Sequence, residues 1–311
     1  MAFETYQSFW NHQAATPEGA LAGVDGSASE AVVRMTGRWA ARQVGAGLGL
    51  DGSQRVLELG CGVGRIAREL MNQCAHWHGV DISRSMLDVA EERLAEHQDR
   101  VALSELQRTA LPMVEDESLD AAYSVAVLCH MDKEDLYLYA QELVRALKPG
   151  GAVYLETWNL VHPMGWRRWE FEVNNWHRSD QTGRKDVSRN QFCVPEEFAL
   201  YLERAGLTLL RTWSDSPWIQ IVAAKAPTSE QQDAHLARLA EREAEILYPP
   251  LFSVLFGELL DVIYGLTPPQ EMADALAARD DDPVVTLYRD YLLALWRQGE
   301  AHWGPVPADF A

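Results

Sequence analysis

The stretch RVLELGCGVGR (55–65) constrains this chain more than any other. A short apolar run of strand length breaks into glycines at every second position and resumes as the helix-like RIARELM (65–71). Glycine reaches left-handed backbone at little cost, so E-x-G-x-G-x-G marks a tight strand-to-helix turn whose backbone passes close to a ligand or a neighbour. The dinucleotide fingerprint, G-x-G-x-x-G, has a different spacing because it brings helix-terminal amides to a pyrophosphate. The present spacing suits a ligand without phosphate, with the backbone running beside a sugar and an amino-acid chain.

The rest of the chain repeats the alternation. A helix over 29–44 puts Val32, Met35 and Trp39 on one face. HWHGVDIS (76–83) reads as a second strand, ended by Ser83 as N-cap of a helix carrying Leu87, Ala90 and Leu94. VALSELQ (101–107) and DAAYSVAVL (120–128) make strands three and four, and a helix over 134–147 stops at Lys148-Pro149-Gly150-Gly151. AVYLETW (152–158) is strand five, and LTLLRTW (207–213) with WIQIVAAKA (218–226) close the sheet as an antiparallel pair. The expected fold is α/β, a doubly wound, seven-stranded, mostly parallel sheet.

One connection breaks the rule. Residues 159–194 separate strand five from the helix PEEFALYLERAG (195–206), whereas roughly 2–6 residues usually suffice. An insertion at the C-terminal edge of a parallel sheet lies where ligands bind, so it is expected to cap an acceptor site. Three parts follow: an N-terminal lid over 1–28, a core over 29–226 containing this cap, and a helical C-terminal subdomain over 227–311. The apolar LFSVLFGELLDVIYGL (251–266) in that subdomain reads as internal core, with an oligomer contact as the alternative.

Taken as a set, VLELGCGVGR, VDIS, LP…DESLDAAYS and LKPGG resemble the class I S-adenosylmethionine-dependent methyltransferases, over about residues 30–226. The resemblance implies a Rossmann-like fold with S-adenosyl-L-methionine as cofactor. Gly60, Cys61, Gly62 and Gly64 would line its methionine and ribose side, with Glu58 near the amino group. Asp81, 21 residues after Gly60 and followed by Ile82, would hold the ribose hydroxyls. Leu106 and Gln107 would meet the adenine, at a position where the family commonly has aspartate; glutamine can still accept from the adenine amine. Tyr6, Phe9 and Trp10 lie too far forward to belong to the sheet. Similar enzymes often fold such a segment over the cofactor, so Tyr6 and Trp10 are expected at its site, with ordinary hydrophobic docking as the alternative.

Methyl transfer from a sulfonium is an in-line displacement, and a general base is needed only when the nucleophile must lose a proton. His130, in VLCHM at the expected end of strand four, is the candidate for that role, with packing against the cofactor as the competing role. Trp158 at the end of strand five and Trp166, Trp169 and Trp176 in the insertion are candidate acceptor contacts, and an aromatic wall gains about 0.5–2 kcal/mol per cation–π contact. His162 and Arg178 join them as candidate acceptor contacts, while Arg167, Arg168, Arg184 and Arg189 offer further carboxylate clamps. These residues suggest a small polar or zwitterionic acceptor methylated on O, N or S, with S-methylation of an amino-acid-like thioether as one case. Tryptophans that plug a subdomain interface are the plainer reading of the cluster. A module that binds the cofactor for regulation without turnover is the alternative function.

Composition narrows the partners. The formal net charge is −19, and only four of 27 basic residues are lysine, so the surface repels nucleic-acid backbones. No run reaches the roughly 18 uncharged apolar residues of a membrane span, and the N-terminus lacks a secretion signal's basic start. The four cysteines (61, 74, 129, 193) form no C-x-x-C pair, which fits a reducing cytoplasm. His76 and His78 read as structural, so no metal is expected. Homo-oligomerisation stays open.

Overall fold

The computed structural model describes residues 5–175, 187, 189–280, 282–308 and 310. Its strands are β1 (Arg55–Leu59), β2 (His76–Asp81), β3 (Val101–Glu105), β4 (Leu119–Ser124), β5 (Leu147–Asn159), β6 (Phe192–Cys193), β7 (Leu207–Trp213) and β8 (Trp218–Lys225). The sheet order is β3-β2-β1-β4-β5-β8-β7. Strands β1 to β5 pair in parallel, while β8 runs antiparallel to β5 and β7. The seven expected strands form this path. An eighth, β6, lies off it within the insertion and pairs only Trp158 with Phe192 and Asn159 with Cys193. Chain order reverses between β1 and β4, the switch point at whose carboxyl ends a crevice opens.

Strand four is shorter than its apolar run suggests. It ends at Ser124; Ala126 takes a positive φ of 59°, and Leu128–His130 forms one 3-10 turn. His130 therefore sits on that turn rather than at a strand end, which corrects the placement expected from sequence. A local backbone reversal was hidden by continuous hydrophobicity.

Register sorts the two faces. Glu58 pairs with Tyr123 and Tyr123 with Tyr154, so these side chains leave the sheet on one face; Glu156 and Trp158 follow on the same face at period two. Leu57, Ala122, Val153 and Leu155 point the other way, into a wholly apolar cluster with the helices Lys133–Ala146 and Pro195–Ala205. The first face is packed by the helix Glu30–Leu48 through Ala40, Val44 and Leu48. That helix outruns its expected end because Gly47 lets it close onto Tyr154, where a Cβ would lie 2.7 Å from the ring. Two carboxylates thus stand on a face that is otherwise core.

The C-terminal helices Pro250–Ile263, Pro269–Ala277 and Pro283–Gln298 share a core around Leu255, Leu259, Leu276 and Leu292, while the helix Ser229–Glu241 packs Leu239 into the sheet core. The stretch Glu243–Ile263 is long and apolar enough by composition to cross a membrane, with mean hydropathy 1.6. Here Leu247–Pro249 interrupts it, and Leu255, Leu259 and Val262 face the helical core. The subdomain also rests on the first sheet face. Gln43 and Gln220 both donate to the Ile246 carbonyl, at 2.7 and 2.9 Å, and Tyr291 donates to the Asp25 carbonyl in the N-terminal segment.

Candidate active site

The glycine turn is built by hydrogen bonds to β2. Gly60 N and Cys61 N donate to the Val80 carbonyl at 2.8 and 3.1 Å. Asp81 accepts from Gly62 N at 2.8 Å and from Ser83 N at 2.9 Å, so its carboxylate fastens the turn to the strand end. Gly60 and Gly62 have φ of 75° and 51°, and a Cβ at Gly60 would lie 2.3 Å from Val127. Burial raises the Asp81 carboxyl and holds the Cys61 thiol well above its usual range, hence neutral. Gly64 has another role. It precedes the helix Arg65–Leu70, and its Cα packs against Leu94, away from the crevice.

Glu58 is buried on β1 and accepts from the Tyr123 hydroxyl at 2.5 Å, which in turn accepts from Trp77 Nε1 at 3.1 Å. Burial pushes its carboxyl up to about 8. Asp25, at the end of the helix Pro17–Asp25, accepts from the Thr36 hydroxyl, and its Oδ1 is buried without a hydrogen-bond partner among the described residues. Its carboxyl too is raised by burial, and Arg65 opposes that rise for Asp25, Glu58 and Glu156 alike. One guanidinium thus serves three carboxyl groups of a single cavity.

That cavity, about 730 Å³, runs from the glycine turn to the C-terminal helices. At one end lie Glu58, Gly60, Cys61, Gly62, Asp81 and Ile82, then Leu106 and Gln107. Gln107 donates through Nε2 to Glu105 at 2.7 Å, which leaves its carbonyl oxygen as an acceptor. Tyr6 and Trp10 form part of the wall from the N-terminal side. Tyr6 accepts from Asp132 N at 2.8 Å, and Asn11 accepts from Ser83 Oγ at 2.7 Å, so this segment is pinned across the crevice. His130 packs edge-on against Trp10, ring centroids 5.0 Å apart, and burial lowers its imidazolium to about 4.

The far end is walled by β5, the insertion and the C-terminal helices. Trp158 stacks on Trp218 at 4.0 Å, and the Arg168 guanidinium lies 4.4 Å from the Trp158 ring centre. The protein's own cation therefore takes the cation–π contact that the sequence assigned to a substrate. Arg168 is oriented by buried Glu172 through Nε at 2.9 Å. Glu156 accepts from the Tyr248 hydroxyl at 2.9 Å, and burial pushes its carboxyl up to about 7. Phe252, Phe256, Leu260, Tyr264, Tyr288 and Tyr291 complete a largely apolar wall.

Several expected acceptor contacts lie elsewhere. Trp166 is 48% exposed and leans on Trp169, 5.1 Å away; neither lines the cavity. His162 accepts from Met164 N at 3.2 Å at the start of the helix Pro163–Asn175, also off the cavity. Arg167 pairs with Asp261, and Arg189 with Asp132. Trp176, Arg178 and Arg184 fall outside the described residues. The tryptophan-rich segment mainly docks the insertion onto the C-terminal helices, as the stacked Phe171 and Tyr264 show, 3.6 Å apart. His78 meets Ser104 Oγ at 2.9 Å, a sheet contact.

Sequence reasoning missed Asp25, Arg65, Glu156 and Tyr248. Glu156 left one signal, a lone acid in the apolar strand AVYLETW. Tyr248 and Asp25 left none, because they reach the cavity only through tertiary packing.

Comparison with known proteins fits this geometry. Residues 56–151 match the family model of a methyltransferase domain. The chain is 35% identical over 104 residues to phosphoethanolamine N-methyltransferase 2 of Caenorhabditis elegans, covering 33% of this chain and 23% of that one. It is 29% identical over 199 residues to a ubiquinone biosynthesis O-methyltransferase of Cupriavidus pinatubonensis, covering 62% and 76%. The match thus spans about a quarter of the nematode relative. Magnesium protoporphyrin IX methyltransferase of Synechocystis PCC 6803, solved with bound S-adenosylhomocysteine, shares the fold with a TM-score of 0.53 at 16% identity, over 70% of this chain and 97% of that one. The fold and the glycine-turn site define a class I S-adenosylmethionine-dependent methyltransferase domain. Residues 56–151 carry a methyltransferase domain of that class, with S-adenosylmethionine as its cofactor.

Proposed function

We propose that the protein transfers the cofactor's methyl group to a small molecule with a largely apolar, ring-accommodating body. The observation that carries this reading is the single cavity joining the glycine turn to the wall of C-terminal helices. Its residues fit the cofactor. The sulfonium and ammonium are cationic, and Glu58, Asp25 and Asp81 set three carboxyl groups along the same wall. Asp25 Oδ1, buried and unpaired among the described residues, suits the ammonium, and Arg65 suits the carboxylate of the amino-acid end. Asp81, already fixed by Gly62 and Ser83, has lone pairs left for ribose hydroxyls, while Leu106 and Gln107 would flank the adenine.

When bound, the cofactor supplies an electrophilic methyl on sulfur. The chain's contribution is orientation and exclusion of water, which can supply up to about 7–11 kcal/mol in favourable cases. Tyr6 and Trp10 close one side, and the C-terminal helices close the other. The aromatic wall favours a ring-bearing acceptor over the small zwitterion suggested by the tryptophan cluster, of which Trp166 and Trp169 lie off the cavity. Arg168, its terminal nitrogens without a partner among the described residues, offers a cation to a carbonyl or anionic substituent. The names of the two relatives span nitrogen and oxygen methylation, which supports the reaction class and leaves the acceptor to experiment.

The test has two arms. Calorimetry with S-adenosylhomocysteine reports cofactor binding, and mass spectrometry of a metabolite extract incubated with isotopically labelled donor reports the methylated product. Absence of heat refutes the cofactor site. Heat without any labelled product refutes catalysis and favours a regulatory binding module.

A further inference from the structure

We propose that the acceptor is a hydroxyl or amine compound and that Glu156, positioned by Tyr248, takes its proton. The inference rests on the methyltransferase reading and assigns the chemistry of the acceptor end. Three observations carry it. Glu156 is 1% exposed yet lines the cavity, on the sheet face that also carries Glu58. A carboxylate in such a place is costly unless it is paired, and its one hydrogen-bond partner among the described residues, Tyr248, comes from the chain just before the helix Pro250–Ile263. Between Glu156 and the glycine turn the cavity is continuous, so a nucleophile can stand between carboxylate and methyl donor.

The groups facing Glu156 agree with that role. Tyr248 and Tyr154 are both held far above their usual range by burial, so they remain neutral, and Cys129 is raised to about 12 by burial. Arg65 is the facing cation and favours the ionised carboxylate. The balance places the Glu156 carboxyl at about 7, where a carboxylate can accept a proton at neutral pH and release it afterwards. His130, lowered to about 4, is the poorer proton acceptor of the two.

The step balances. The acceptor oxygen or nitrogen bonds to the methyl carbon, the carbon–sulfur bond breaks with its electron pair staying on sulfur, and the acceptor's proton passes to the Glu156 carboxylate. The positive charge of the sulfonium and the negative charge of the carboxylate disappear together. A thioether acceptor has no proton to give, so it would use Glu156 only as a counter-charge and not as a base; the probes below separate the two cases.

Two measurements decide it, on the full chain. An infrared titration with S-adenosylhomocysteine bound should show a protonated-carboxyl band that grows as pH falls through neutrality and is missing in Glu156→Gln. Tyr248→Phe, which removes a bond that favours the ionised form, should move that titration to higher pH. Its absence in the native protein overturns the proposal. Methyl transfer is then compared on catechol, N-methylaniline and thioanisole, three aromatic probes that differ in the reacting atom. The oxygen or nitrogen probe should be methylated in preference to thioanisole, and Glu156→Gln should lower kcat by about 100-fold or more while cofactor affinity stays unchanged. Preference for thioanisole, or an undiminished kcat, overturns the assignment. Loss of cofactor heat in the native protein would instead refute the methyltransferase reading itself.

Discussion

Replacing Gly60 with alanine tests whether the glycine turn is shaped by backbone geometry. At a φ of 75°, an L-residue costs roughly 1–2 kcal/mol in the left-handed region. A second cost is steric: the new Cβ would lie 2.3 and 2.6 Å from the two γ-carbons of Val127. Real carbons do not approach so closely, and forcing a methyl into a packed site costs typically about 1–3 kcal/mol. Together about 2–5 kcal/mol should be lost, a large share of a typical domain's stability. Guanidinium unfolding of wild type, G60A, V127A and the double variant G60A/V127A separates the two costs. Trimming Val127 removes the obstacle but not the backbone strain. The double variant should therefore be more stable than the sum of the single effects predicts, by about 1–3 kcal/mol, with m-values unchanged. If G60A is as stable as wild type, or if V127A yields no coupling, the close approach of the turn to the loop after β4 does not exist and the account of this turn is wrong.

Other outcomes follow from the same geometry. Glu58 titrates at about 8 in the folded protein against an ordinary 4.5. The folded state therefore holds the extra proton between those values, and this contribution is full below about 4.5 and lost as pH rises through 8. Without added cofactor, wild type should lose thermal stability relative to E58Q across that window; a constant difference in Tm contradicts the burial argument. Asp81→Asn leaves at least one of two buried backbone donors without an acceptor, so it should lose about 1–3 kcal/mol in addition to weaker S-adenosylhomocysteine binding by calorimetry. Trp10→Ala opens the N-terminal wall and should weaken that binding by about tenfold at near-native stability, given the ring's partial burial and its contact with His130. Trp158→Ala, at a buried stack, should cost about 3–5 kcal/mol, whereas exposed Trp166→Ala should change neither stability nor binding by more than about 0.5 kcal/mol.

Much of the cofactor end was legible because its signals are local. Glycines at positive φ, an acid at the end of β2 and the capping residue Ser83 each follow from requirements within a few residues. Ser83 does accept from Met86 N, at 3.2 Å. His130 was misplaced by one structural step because hydrophobicity alone does not reveal the reversal at Ala126. The tryptophans were legible as a cluster but not by destination. Trp158 faces the cavity because it falls on the even register of β5, whereas Trp166 and Trp169 sit on a helix whose orientation depends on what it packs against.

The sequence by itself determined the doubly wound sheet, the bent turn after β1 and the acidic hold at its edge, since strand periodicity and glycine spacing act over short range. Only the tertiary structure decided what closes the cavity. Tyr248 meets Glu156 across 92 residues, and Tyr291 meets the Asp25 carbonyl across 266. Contacts at such separation arise from how one helical layer settles on one sheet face, and no local pattern encodes which side chains will face each other there.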